Sequence, residues 1–116
     1  MHNIAQRYRR IKSLKEINRI LKSDGTAIIS VWSRWQDKFR QHFIKKGLKR
    51  YDKEEFGDTN IYWRQHGLNV PRFYHLYSKR ELQKDLEEAG FEIIKIEGVK
   101  YFSEKYYDNY FAIIKK

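Results

Sequence analysis

Residues 19–32, RILKSDGTAIISVW, decide the reading of the chain, because they run from a helix end through a turn into a strand. Ser23-Asp24-Gly25 supplies the turn: Gly25 can take positive φ at no steric cost, and Asp24 tolerates it better than most residues. Ala27, Ile28, Ile29 and Val31 follow in near-continuous apolar order. That order predicts a strand covered on both faces, as in a parallel sheet. Upstream, Ile4, Tyr8, Ile11, Leu14, Ile17 and Leu21 recur at steps of three and four, one face of a helix ending near Lys22. Arg7, Arg9, Arg10, Lys12, Lys15, Arg19 and Lys22 fill most of the rest, so the helix is strongly basic.

Downstream, residues 33–70 are polar and rich in aromatics, with a short helix expected around 36–46. The segment is too long for a simple connection and reads as a functional insertion or a lid. Residues 71–91, PRFYHLYSKRELQKDLEEAGF, contain a capping box. Ser78 and Glu81 each satisfy a free backbone N–H at the helix start, Leu82, Leu86 and Ala89 form the buried stripe, and Gly90 ends the helix. FEIIKIEGV (91–99) and NYFAIIKK (109–116) are two further strands, and their short connection predicts an antiparallel pair. The order is helix, strand, insertion, helix, strand, strand: one α/β domain over 1–116.

A chain of 116 residues, 41% hydrophobic and 16% aromatic, bounds a single domain with a modest core. It has no cysteine, which excludes disulfides and thiolate metal sites. No apolar run approaches the ~20 residues of a membrane span, and residues 1–12 lack a signal-peptide core. The expectation is a soluble, intracellular, cytoplasmic protein that does not engage a membrane. Residues 1–50 carry fourteen Lys and Arg against three acidic residues, whereas 51–116 carry eleven against twelve. The whole excess of the +10 chain thus lies in its first fifty residues. A polyanion suits such a patch, and so does a solvated face that only keeps the protein soluble.

His2, His42, His66 and His75 are scattered without metal-ligand spacing, no nucleophile-elbow serine occurs, and the six glycines are isolated, so no glycine-rich phosphate loop is present. Two clusters remain. In RFYHLY (72–77), Arg72 could clamp a phosphate or carboxylate, and Tyr74, His75 and Tyr77 could stack on a base or hydrogen-bond a substrate. The pattern by itself favours a plainer account, in which Phe73, Leu76 and one tyrosine are core packing and His75 is merely hydrogen-bonded. His2-Asn3 with Arg9-Arg10 is the second cluster, and a frayed terminus with an exposed helix face accounts for it as well.

HNIAQRYRRIKSLKEINRILKSDGTAIISVW resembles the segment after the fourth strand of class I S-adenosylmethionine (SAM)-dependent methyltransferases. Within them, HNI, RR, LKEINRILK, ISVW and RFYHLYSKRELQKDLEEAGF are similar to the tRNA methyltransferases that esterify a carboxymethyl group on the wobble uridine. Asn3 stands where those proteins have a second His, and Ser23-Asp24 replaces Pro-Gly at the turn. The resemblance covers nearly the whole chain and is weakest in 33–70.

It implies a partial Rossmann-like methyltransferase fold: a three-stranded mixed sheet holding the family's fifth, seventh and sixth strands at 26–32, 109–115 and 91–99, with flanking helices. The first four strands, the glycine-rich SAM loop and the ribose-binding acid would be missing. Of cofactor-proximal positions only His2 and Asn3 would survive. Arg72, Tyr74 and His75 would line the entry of the modified uridine, with Arg72 or His75 orienting its carboxylate. Arg9, Arg10, Trp32, Arg34 and Tyr77 would contact or orient the tRNA. In the intact enzyme that carboxylate attacks the methyl group of SAM and is ionised at neutral pH, so no strong base is needed.

The resemblance also leaves strand 26–32 with a bare edge, which invites pairing with another chain. The expected partners are tRNA, a polypeptide carrying the SAM-binding half or a second copy on that edge, and a small zinc-binding activator protein. Two functions follow. One is the substrate-side portion of a wobble-uridine methyltransferase, inactive alone and not binding SAM alone. The other is a non-catalytic basic RNA-binding or interaction module derived from that family.

Overall fold

In the computed structural model, which describes residues 2–49, 57–63, 67 and 70–116, the basic N-terminal segment is helical over Arg7–Ile20 (α1). The helix starts later than its apolar periodicity suggests. Gln6 sits at the N-cap with φ 68° and no side-chain cap, so Ile4 lies outside the helix. Ile11 and Leu14 are buried, Tyr8 is exposed, and Arg10, which periodicity places outside, is fully buried. At the other end, the Lys116 ammonium donates to the carbonyls of Arg19 (3.2 Å) and Leu21 (2.9 Å). A cation there satisfies carbonyls that the helix leaves open.

The turn closes through Gly25 N–H to the Lys22 carbonyl at 2.8 Å. Gly25 does not take positive φ among the described residues; what it supplies is room, since a Cβ would lie 3.1 Å from Lys22 O and 3.2 Å from Lys22 N. Strand β1 (Thr26–Trp32) then enters the sheet. The remaining elements are α2 (Arg40–Lys49), β2 (Asp58–Trp63), β3 (Val70–His75), α3 (Lys79–Glu88), β4 (Glu92–Val99) and β5 (Asn109–Lys115).

The main sheet has the order β1-β5-β4, the order the resemblance implies. Both pairings are antiparallel, so β1 and β4 run parallel to each other on either side of β5. A register shift between Ile93 and Lys95 leaves Ile94 exposed. Helices α1 and α3 cover one face. Ile11, Leu14, Leu82 and Leu86 meet Ile29, Val31, Tyr110, Ala112 and Ile114 there in one buried cluster. The opposite face is open among the described residues. β1 alternates buried Ile29 and Val31 with exposed Ile28 (69%) and Ser30, so it is not covered on both sides as its composition predicts. No described element packs against that face, and the alternation of a half-wet strand results.

The described parts of the long segment after β1 fold onto the carboxyl end of that strand. Besides α2 it contributes the antiparallel hairpin β2–β3. RFYHLY is therefore mostly strand, a reading its few residues before the capped helix do not reveal. Phe43, Tyr74 and Leu76 form a second buried cluster, packed by Trp32, Trp35, Phe39 and Ile61. Beyond β3, Tyr77 exchanges hydrogen bonds with Trp32 O (2.8 Å) and Arg34 N (2.9 Å), a parallel bridge that joins hairpin to sheet. Ser78 caps α3 as expected, accepting from Glu81 N–H at 3.2 Å, and Gly90 with φ +93° ends it. No described helix is long and apolar enough to cross a membrane.

Candidate functional site

The carboxyl end of β1 is where strands of open α/β sheets present ligand contacts. Trp32 lies there, Tyr74 comes from β3, and residues 2–3 reach the same place along β3. His2 O accepts the His75 N–H (2.6 Å), and Asn3 Nδ2 donates to Phe73 O (3.1 Å). The result is a three-ring stack. Centroids of Trp32 and Tyr74 are 4.9 Å apart at 7°, and His2 lies 5.2 Å from Trp32 and 5.5 Å from Tyr74. Offset stacking at these separations is the favoured geometry of aromatic pairs. Burial holds the His2 imidazole below its ordinary pKa, so the ring in the stack is neutral at pH 7.

Behind the stack is a buried charge network. His75 is fully buried, with Nδ1 2.8 Å from Asp58 Oδ1 and Nε2 2.6 Å from Glu81 Oε1. Each ring nitrogen thus faces one carboxylate. Glu81 also pairs with Arg34, whose guanidinium is nearly buried and is lowered by desolvation to about 10, still cationic at pH 7. The Glu81 side chain is thus turned to Arg34 and His75 and does not complete the capping box; only the Ser78 half forms. Deeper on α3, the fully buried Asp85 accepts from Arg7 Nε at 2.9 Å, and Arg7 also pairs with Glu88. Burial raises the Asp85 carboxyl, with Arg7 opposing the shift.

Several sequence-derived roles change on this geometry. His75 has both nitrogens on protein carboxylates and no exposure, so it lies behind the stack and presents no surface to a carboxylate substrate. Tyr77 is fully buried, edge-on to His75 with centroids at 4.9 Å. Arg10 is buried too: it donates to Ile4 O at 2.9 Å and lies 5.8 Å from the Tyr77 ring centroid, so of contact and orientation only orientation is left to it. Arg34 is 7% exposed and lines a polar cleft of about 630 Å³ with Arg7, Arg80, Lys84, Glu81 and Asp85. Arg9 faces solvent beside Tyr8, with Nε 3.1 Å from its hydroxyl. Arg72 is exposed on β3, opposite Ile61 and two residues from Tyr74. Sequence reasoning missed Asp58, which lies in the insertion, and misplaced Glu81, whose capping-box position hid its second use.

Comparison with known proteins decides the fold's relatives. A solved SAM-dependent methyltransferase from Methanosarcina mazei superposes with TM-score 0.72 at 17% identity, over 99% of this chain and 54% of that one. This chain carries a partial class I methyltransferase fold. A second SAM-dependent methyltransferase structure, from Clostridium acetobutylicum, gives TM-score 0.61 at 12% identity over 95% and 52%. In sequence, the chain is 28% identical over 107 residues to a tRNA (carboxymethyluridine(34)-5-O)-methyltransferase of Schizosaccharomyces pombe. It is 25% identical over 96 residues to a candidate methyltransferase of Encephalitozoon cuniculi. No family model matches. The methyltransferase-like chain spans about half the length of these curated relatives, 47% and 41%.

SAM use by the relatives raises the question of fit. Asn3 already spends its amide on Phe73 O, and the His2 ring is stacked on protein rings. The sequence has no glycine-rich turn for the methionine end, and β1, β4 and β5 end in Trp32, Val99 and Lys115, not in an acid for the ribose. The described residues do not make a complete SAM site.

Proposed function

We propose that this chain is the substrate-side portion of a SAM-dependent tRNA methyltransferase that methyl-esterifies carboxymethyl-uridine at the wobble position, and that the SAM-binding half is supplied by another polypeptide or by further sequence of the same one. The observation that carries this reading is the similarity to the S. pombe wobble-uridine enzyme over 82% of the chain. The Trp32–Tyr74–His2 stack at the strand end is consistent with it. In this reading Trp32 receives the base with the buried Tyr74 backing its ring, and Arg72 orients the carboxylate through a bidentate pair. Arg9 and the other exposed cations of α1 hold the tRNA backbone. The edge of β1 that no described strand pairs takes the complementary half, with a second copy as its competing occupant. A small zinc-binding activator protein and a cytoplasmic location complete the proposal.

A second reading, a non-catalytic RNA-binding module, is favoured by the incomplete cofactor site together with the basic first helix. The two separate cleanly. Calorimetric titration of SAM into the chain is expected to show no micromolar affinity, and such an affinity would overturn the view that the cofactor half lies elsewhere. Adding the SAM-binding half is then expected to restore methyl-ester formation on tRNA bearing carboxymethyl-uridine. Salt-sensitive tRNA binding without any restored transfer would assign the chain to the second reading.

A further inference from the structure

The loop joining β4 to β5, residues 100–108, is held by two carboxylates. Asp108 accepts the backbone N–H groups of Tyr101 (2.9 Å), Phe102 (2.6 Å) and Ser103 (3.0 Å). Asp37, from the segment after β1, accepts those of Glu104 (2.9 Å), Lys105 (3.1 Å) and Tyr106 (3.0 Å). Six consecutive amides are thus satisfied, and the Asp37 N–H returns a bond to Ser103 Oγ at 3.2 Å. A loop so tied has little conformational freedom left to lose on binding.

What it displays is aromatic. Tyr106 and Tyr107 are 41% and 50% exposed, and with Trp35, Tyr110, Lys100 and Lys105 they line a cleft of about 200 Å³. The Tyr107 ring lies against bare backbone: a Cβ on Gly98 would stand 2.5 Å from its Cγ and 2.6 Å from its Cδ2. Arg40 covers Tyr106, its guanidinium carbon 3.8 Å from the ring centroid. The lining residues include two ammonium groups and no carboxylate. Cationic ligands are disfavoured by those lysines, and a purely apolar ligand has no use for them. A volume below the roughly 300–1,000 Å³ of ordinary ligand pockets suits one planar ring. A nucleotide is a flat ring carried on an anion.

We infer that Trp35, Tyr106, Tyr107 and Tyr110, with Lys100 and Lys105, form a stacking slot for one base of a single-stranded nucleic acid. Ring faces that accept any base, flanked by cations that follow the backbone, are the means by which unpaired strands are bound. The slot opens at the end of the sheet where Asn109 pairs with Trp32, the end that also carries the His2–Trp32–Tyr74 stack. The inference shares with the proposed function an RNA partner, but it requires neither SAM nor methyl transfer.

The test is fluorescence anisotropy of a labelled short oligouridylate titrated with the full chain at low and moderate salt. Saturable, salt-weakened binding is expected, with a matched duplex competing poorly. Tyr106→Ala with Tyr107→Ala is expected to weaken binding about tenfold or more, since each stacked base contributes on that scale. Tyr106→Phe with Tyr107→Phe keeps the rings and is expected to bind as the parent does. Gly98→Ala, which displaces Tyr107 without touching the ligand, is expected to match the alanine pair. Lys100→Gln with Lys105→Gln is expected to flatten the salt dependence. Unchanged binding in the alanine pair, confirmed folded by circular dichroism, would overturn the slot. So would a polyglutamate probe that binds as tightly and is lost in the same variants, which would assign the cleft to acidic peptides. Failure of methyl transfer in the complemented enzyme leaves these outcomes untouched, so the two proposals fail separately.

Discussion

Helix α3 has one side in each of two differently built regions. Its Leu82 and Leu86 enter the apolar core of the sheet unit, with Ile29, Val31 and Ile114 opposite. Its Ser78, Glu81 and Asp85 face the rim at the carboxyl end of β1, where the contacts are ion pairs, a caged imidazole and stacked rings. Apolar burial is non-directional and degrades in proportion to the area removed. A buried charge network depends on every member, because losing one leaves another desolvated and unpaired. The sheet unit should therefore yield gradually to substitution and the rim abruptly.

The largest effect is expected from Glu81→Ala, which leaves His75 and Arg34 buried without their shared carboxylate. A loss of about 3–5 kcal/mol is the usual scale for breaking a buried pair. The diagnostic is where protection is lost. Amide exchange should accelerate through β2 and β3 while Ile29 and Val31 in β1 stay slow. Equal loss in both regions would mean that they are one cooperative unit and would break the comparison. Leu86→Ala is the counterpart within the core, expected to cost about 2–5 kcal/mol. There urea unfolding should show β1, β4 and β5 destabilised together.

Acid sharpens the same contrast. Burial acts to raise the Asp108 carboxyl, but the amides of residues 101–103 outweigh it and hold the group at about 2. The folded pKa is depressed, so this group's stabilisation is present above the unfolded carboxylate value near 3.8. It is lost as pH falls from there through about 2. Thermal melts across that window should drop more steeply for the parent chain than for Asp108→Asn, and parallel curves would show that the loop contributes nothing to folding. The smallest effect on the chain itself is expected at Ile28, which is 69% exposed on the open face. Ile28→Lys should leave stability within about 0.5 kcal/mol. If β1 is a pairing edge, the same change should lower self-association or complementation, read by sedimentation velocity.

Much of the sheet unit was legible in the sequence. Steps of three and four, the Ser78 cap, the Gly90 stop and the apolar runs at 26–32 and 109–115 all act within a few residues, and each element formed near its expected place. Part of the candidate site was legible as well, since Trp32 and Tyr74 do converge. Asp58, seventeen positions from its imidazole, and Asp37, more than sixty from the amides it holds, leave no periodic trace.

The sequence by itself determined the element types of the sheet unit, the basic first helix and the resemblance to methyltransferases, because propensity, periodicity and local motifs are short-range properties of the chain. Only the tertiary structure decided that Arg10, His75 and Tyr77 are interior, that Glu81 serves a network as well as a helix start, and that Tyr106 and Tyr107 stand out beside Trp35. Those outcomes depend on which distant groups meet once the sheet closes, and on what desolvation costs a charge that finds no partner there.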